Sequence, residues 1–239
     1  NACNSTSTCL AVGAVVAGGV GNNTSFGIWD LATCAFTVAP TIYNAGAMSF
    51  VGSGFQNRAQ GDCSFVGGGI KNCATGACSI IVGGSQNCST SNGAILNGYL
   101  NSNLGSSNAL ITGQQNTISG GNFNILGGGY SNTVSSFYGA LFSGHTNTTS
   151  GNFSGIVSGC RNIASGNVVF IGGGCGNSAS GCHSAIAGGC ANTSSGAYSA
   201  VVGGRTNVVS ANNSFIGGGV GNCVATSGNI VGGTNNRVC

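Results

Sequence analysis

Glutamate is missing altogether, and charge of either sign is scarce. Asp30, Asp62, Lys71, Arg58, Arg161, Arg205 and Arg237 are the only acidic and basic side chains in 239 residues. Five scattered cations make no basic patch, which excludes nucleic acid and anionic membrane surfaces as partners. No apolar run approaches the ~20 residues of a spanning helix, so no membrane insertion is expected. Catalytic equipment is equally thin. Asp30 and Asp62 are far apart in sequence, His145 and His183 have no paired third group, and the cysteines match no Cys-His-Asn arrangement. The stretch "GGGCGN" looks like a phosphate-cradling loop, but it lacks the helix and downstream acid of a dinucleotide site and the Lys-Ser/Thr of a P-loop. A non-enzyme without cofactor or metal is expected.

Abundance lies elsewhere: 47 glycines, 13 cysteines and 41% hydrophobic residues. Glycine alone would suggest disorder, but the apolar residues fall in short β-prone runs such as "SIIVGG" and "NALITG". So many cysteines argue for an oxidising compartment, and hence an extracellular chain on a virion or cell surface. Eight glycosylation sequons, at Asn4, Asn22, Asn23, Asn87, Asn147, Asn152, Asn192 and Asn212, fit that address.

The chain keeps a beat. An asparagine recurs at Asn57, Asn72, Asn87, Asn101, Asn116, Asn132, Asn147, Asn162, Asn177, Asn192, Asn207, Asn222 and Asn236, at steps of 15 with three exceptions of 14 or 16. Three residues before each stands a glycine, and six before it an aliphatic residue. Val16, Gly19 and Asn22 form one earlier, isolated beat. Helical and leucine-rich repeats are longer, and glycine at this density would cost a helix about 0.5–1 kcal/mol per position. Two strands of about five residues and two tight turns fit the period. The reading is an all-β, narrow parallel β-solenoid of about 13–14 coils, roughly 60–70 Å long at ~4.8 Å per coil. The constant glycine supplies a turn with φ > 0. The asparagine is expected to tolerate the left-handed region and to stack in a ladder.

The strand before each glycine is apolar on both faces. Positions seven and five before the asparagine share one face and mostly compensate: Phe50, Phe65, Ile125, Phe170 and Phe215 accompany a glycine, whereas Leu96, Ile111, Phe142, Val157 and Val202 accompany alanine or glycine; Ile80/Val82, Ala185/Ala187 and Asn229/Val231 are exceptions. One face fills the coil, and the other would leave an apolar stripe outside. Burial against identical chains around a shared axis answers this, and a homotrimer is inferred, with a lone two-layer sandwich as the alternative. The basic side chains and His145 lie within two residues of their asparagine, on a corner facing water.

The beat S-x-[IV]-x-G-G-x-x-N-x-x-S-G resembles the YadA-like head repeat of trimeric autotransporter adhesins, and similar repeats occur in phage and large-virus fibres. The resemblance covers roughly residues 46–239 and implies a left-handed β-roll with a fibre-like role. The step of 15 and the abundant cysteine depart from that pattern.

Cysteines share columns. Rung spacing lies within disulfide range, so Cys73–Cys88 and Cys63–Cys78 are expected as cross-links between coils, with one bond inside the row Cys160, Cys175 and Cys190. A metal ladder of His145 with that row is disfavoured, because a straight row cannot surround a tetrahedral ion. Cys3, Cys9 and Cys239 are placed to couple subunits head to tail. Residues 1–22 form a first segment with one coil, 23–45 a non-repeat insertion (docking arm or hydrophobic plug), and 46–239 the repeat domain. The function expected is the shaft or filament of a viral, phage or cell-surface fibre, with self as partner. The alternative is an adhesin head that binds a host receptor or glycan.

Overall fold

The computed structural model describes residues 13–23, 28–38, 45–230 and 232–239. It divides into two compact units, Asn1–Gln115 and Asn116–Cys239. Among the described residues there is no helix, and the chain is an all-β parallel solenoid of about 13 coils with a period near 15 residues.

In the first unit, one ladder stacks Val15–Val16, Phe50–Val51, Phe65–Val66, Ile80–Ile81, Ala94–Ile95 and Ala109–Leu110. A second stacks Arg58–Ala59, Cys73–Ala74, Cys88–Ser89 and Ser102–Asn103. In the second unit, the first ladder runs from Ile125–Leu126 to Asn229–Ile230 and the other from Thr117–Ile118 to Arg237–Val238. Every pairing in these ladders is parallel and in register, so residues one period apart lie one above another.

The strands are shorter than the period suggests. Each ladder strand is two residues long, and a third contact per coil comes from a single-residue bridge two positions before the asparagine, as in Phe55↔Ile70 and His145↔Cys160. A coil is thus three brief parallel contacts joined by turns. Glycine-rich turns leave no room for five-residue strands.

Two columns fill the interior. The aliphatic residue six before the asparagine is buried from Val51 to Ile230, and each such burial contributes about 1.5–3 kcal/mol. The residue two after it is buried as well and usually smaller: Ala59, Ala74, Ser89, Thr149, Ala164, Ala179 and Ser194. A large side chain facing a small one is what a thin coil accommodates.

The isolated first coil is not isolated in space. Val15 pairs with Phe50, and the backbone N–H of Asn57 donates to Asn22 Oδ1 at 2.8 Å. The ladder therefore continues past the insertion as though it were absent. The insertion contains an antiparallel pair, Ile28–Asp30 with Ala35–Val38. Ile28, Leu31 and Val38 are exposed.

Candidate functional site

Most column asparagines are held three ways. At Asn162, Nδ2 donates to the Ser158 carbonyl at 3.1 Å and to the Gly174 carbonyl of the next coil at 3.0 Å; Oδ1 accepts the backbone N–H of Asn177 at 3.0 Å. The same set recurs at Asn57, Asn72 and Asn87 in the first unit. In the second unit it recurs at Asn147, Asn177, Asn192, Asn207 and Asn222. No other side chain offers two donors and an acceptor at that reach.

These asparagines are not left-handed, contrary to the expectation from sequence. The left-handed residue is the one before: Gln56, Lys71, Gln86, Thr146, Arg161, Ala191 and Thr206 have φ of 53° to 57°. That reversal turns the asparagine amide inward, where all nine named above are buried. The constant glycine behaves as expected, with φ of 88° to 117° down its column from Gly54 to Gly233. A Cβ on Gly174 would also meet the Gly189 carbonyl oxygen at 2.0 Å.

The inward amides overturn most of the glycosylation assignments. Asn22, Asn23, Asn87, Asn147 and Asn192 are fully buried and hydrogen-bonded inside the coil, leaving no room for a glycan. Asn152 and Asn212 sit instead at the turn before the first strand, where each uses only its Oδ1 to accept a backbone N–H of the preceding coil. Asn4 lies outside the described residues.

The outward positions of the first strand form an apolar face. In the second unit its large members are Ile125, Phe142, Val157, Phe170, Val202 and Phe215, exposed by 36% to 54%. In the first unit they are Phe65, Ile80, Val82 and Leu96. No charged residue stands in either column. The size compensation has a cause inside the coil. The phenyl ring of Phe170 lies 3.5 Å from where a Gly172 Cβ would be, and that Cβ would also meet the Ala187 carbonyl at 2.4 Å. A ring at one position covers bare backbone at the other, so the compensation exists without a partner chain.

Beside this face runs a column nine positions before the asparagine, in which the sequence pattern singles out only Cys63 and Cys78. Most of its residues are left-handed, including Phe123, Tyr138, Phe153, Val168, His183 and Tyr198, with φ of 55° to 61°. Such a conformation costs a residue with a Cβ roughly 1–2 kcal/mol. Glycine or asparagine would sit there more cheaply, yet the second unit places aromatic rings, stacked at 5.2 Å (Phe123–Tyr138) and 4.9 Å (Tyr138–Phe153, His183–Tyr198). Phe153 is 61% and Tyr198 63% exposed. The signal was in the 15-residue recurrence of bulky residues within turns.

The expected cysteine rungs are neighbours rather than bonds. Cys63, Cys73, Cys78, Cys88, Cys160, Cys175 and Cys190 are all free thiols. Cys73 is in register with Cys88, and Cys175 with both Cys160 and Cys190. Parallel side chains on adjacent rungs bring Cys160 Sγ and Cys175 Sγ to 2.9 Å, a hydrogen-bond contact. Cys239 is free and exposed; Cys3 and Cys9 lie outside the described residues. Among the described residues no three of His, Cys, Asp and Glu cluster closely enough to hold a metal ion.

The chain matches no protein-family model and none of the curated proteins.

Proposed function

We propose that the chain is a non-catalytic extracellular structural protein, the shaft or filament of a viral, phage or cell-surface fibre. It self-associates through the outward face of the first strand, as a homotrimer. The observation that carries this reading is the exposure of Phe142, Val157, Phe170, Val202 and Phe215 along one uncharged face of one unit. Apolar rows of this kind mark association surfaces, and identical copies meet there without burying a charge. The role is mechanical. Parallel ladders and buried asparagine amides leave few unsatisfied groups for water or protease to exploit, and thiols in register can close as cross-links between coils. Negative-stain microscopy of the native material tests it: rods or filaments are expected, and dispersed globular particles would count against it.

An adhesin head is the second reading, and the aromatic column favours it. Strained rings held half in solvent add little to folding, whereas a receptor or glycan gains a stacking surface from them. Binding to host cells or a glycan array that is lost in Phe153→Asn and Tyr198→Asn, with assembly intact, would select this reading over the shaft.

A further inference from the structure

In the second ladder of the first unit, four residues follow one another in register: Arg58, Cys73, Cys88 and Ser102. Both thiols are half-buried and share a hydrogen bond. That bond from Cys88 is the main reason the Cys73 thiol is brought down to about 7; partial burial opposes it and the Arg58 guanidinium adds to it. Cys88, the donor, is pushed far up by the same bond and by its burial. Position adds a bias between the two sulfurs. With rungs ~4.8 Å apart, Arg58 stands one rung from Cys73 and two from Cys88.

We infer that Cys73 and Cys88 form a peroxide-reactive thiol pair, with Cys73 the attacking sulfur and Cys88 the resolving one. The Cys73 thiolate attacks one oxygen of a hydroperoxide and the O–O bond breaks. The departing alkoxide or hydroxide takes up a proton and leaves as alcohol or water, and Cys73 becomes a sulfenic acid. Cys88 then attacks that sulfur: the S–S bond forms, the S–O bond breaks, and water leaves with the Cys88 proton. Two thiols lose two electrons and one hydroperoxide gains them. Adjacent rungs lie within the disulfide range of about 4.4–6.8 Å, so the backbone need not move far.

The second unit supplies a control. Cys160 and Cys175 also touch, but Cys160 is pushed up, chiefly by its hydrogen bond with Cys175, although the Arg161 guanidinium opposes this; its column neighbour on the other side is His145 and not an arginine. Contact alone therefore does not make a reactive thiolate. The inference is independent of the assembly reading, since it concerns two rungs of one chain.

The reduced full-length chain is treated with substoichiometric hydrogen peroxide at neutral pH, quenched with a maleimide and mapped by mass spectrometry. Cys73–Cys88 is expected as the first disulfide, formed on the order of tenfold faster than Cys160–Cys175, because Cys73 is brought down and Cys160 pushed up. In Cys88→Ser, dimedone is expected to trap a sulfenic acid at Cys73. In Cys73→Ser, Cys88 is expected to remain unlabelled. Arg58→Gln should slow the reaction several-fold and Arg58→Lys restore it, with circular dichroism confirming that both fold. Equal rates for the two pairs, or a sulfenic acid trapped at Cys88 rather than Cys73, would overturn the assignment.

Discussion

Asn162 Oδ1 accepts the backbone N–H of Asn177 at 3.0 Å, and the Asn177 amide passes the same contact on to Asn192. Side chain and backbone thus form a continuous hydrogen-bonded row inside the second unit. Replacing Asn162 with alanine removes two donated bonds and leaves the Asn177 N–H buried without its acceptor. A loss of about 2–4 kcal/mol is expected, since each unsatisfied buried group costs about 1–3 kcal/mol. Asn162→Asp should be worse than alanine, because a carboxylate would face the Ser158 and Gly174 carbonyls. Urea unfolding of the three proteins decides the order.

Gly174 and Gly188 test turn chemistry against mere composition. Gly174 has φ 93° and no space for a Cβ, whereas a Cβ on Gly188 would meet nothing within 4 Å. Gly174→Ala is expected to cost at least 1–3 kcal/mol from backbone strain, roughly, with the clash in addition. Gly188→Ala should lie within about 1 kcal/mol of the parent. Similar midpoints of thermal unfolding for the two variants would refute this.

Much of this was legible in the sequence. The period, the glycine turn, the aliphatic column and the parallel stacking all follow from recurrence at 15, because a feature that repeats in every coil must occupy equivalent sites. What stayed hidden has physical causes too. The left-handed residue before the asparagine escapes notice because Gln56, Lys71, Thr146, Arg161 and Ala191 share no chemistry. Their common conformation is imposed by the inward turn of the next side chain. The interior column of Ala59, Ser89, Thr149 and Val209 was overlooked because small and polar residues serve as core in so thin a coil. Sequons misled for the opposite reason: Asn-x-Ser/Thr describes the inward asparagine and its following strand as well as it describes a glycan acceptor.

Expression in a glycosylating eukaryotic host separates those two meanings. Among the described sequons, the folded secreted chain is expected to carry glycan only at Asn152 and Asn212, and Asn152→Gln with Asn212→Gln should abolish it. Occupancy at Asn87, Asn147 or Asn192 in folded material would contradict the buried ladder.

Alkylation should follow pH differently at the two thiol pairs. The Cys73 thiol is held down at about 7, so its reaction with iodoacetamide should rise with pH through a midpoint near neutrality and fall away in acid. Cys88 and Cys160 are both raised and should react only at higher pH. Site-resolved mass spectrometry across the pH range gives the curves.

Tyr138 stacks on Phe123 at 5.2 Å and on Phe153 at 4.9 Å while holding φ 56°. In Tyr138→Gly the relieved strain, roughly 1–2 kcal/mol, offsets the lost stacking of about 0.5–1.5 kcal/mol per pair. Stability should change by no more than about 2 kcal/mol, as read from chemical denaturation. A much larger loss would show that the aromatic column serves the fold and not a partner.

Light scattering of the full-length chain after gel filtration, compared with the double variant Phe142→Glu and Phe170→Glu, addresses the assembly face most directly. The parent is expected at a multiple of three times the 23.0 kDa chain mass, and the variant at the mass of one chain, both with β-rich spectra. A parent that remains at 23.0 kDa at every concentration would contradict the account.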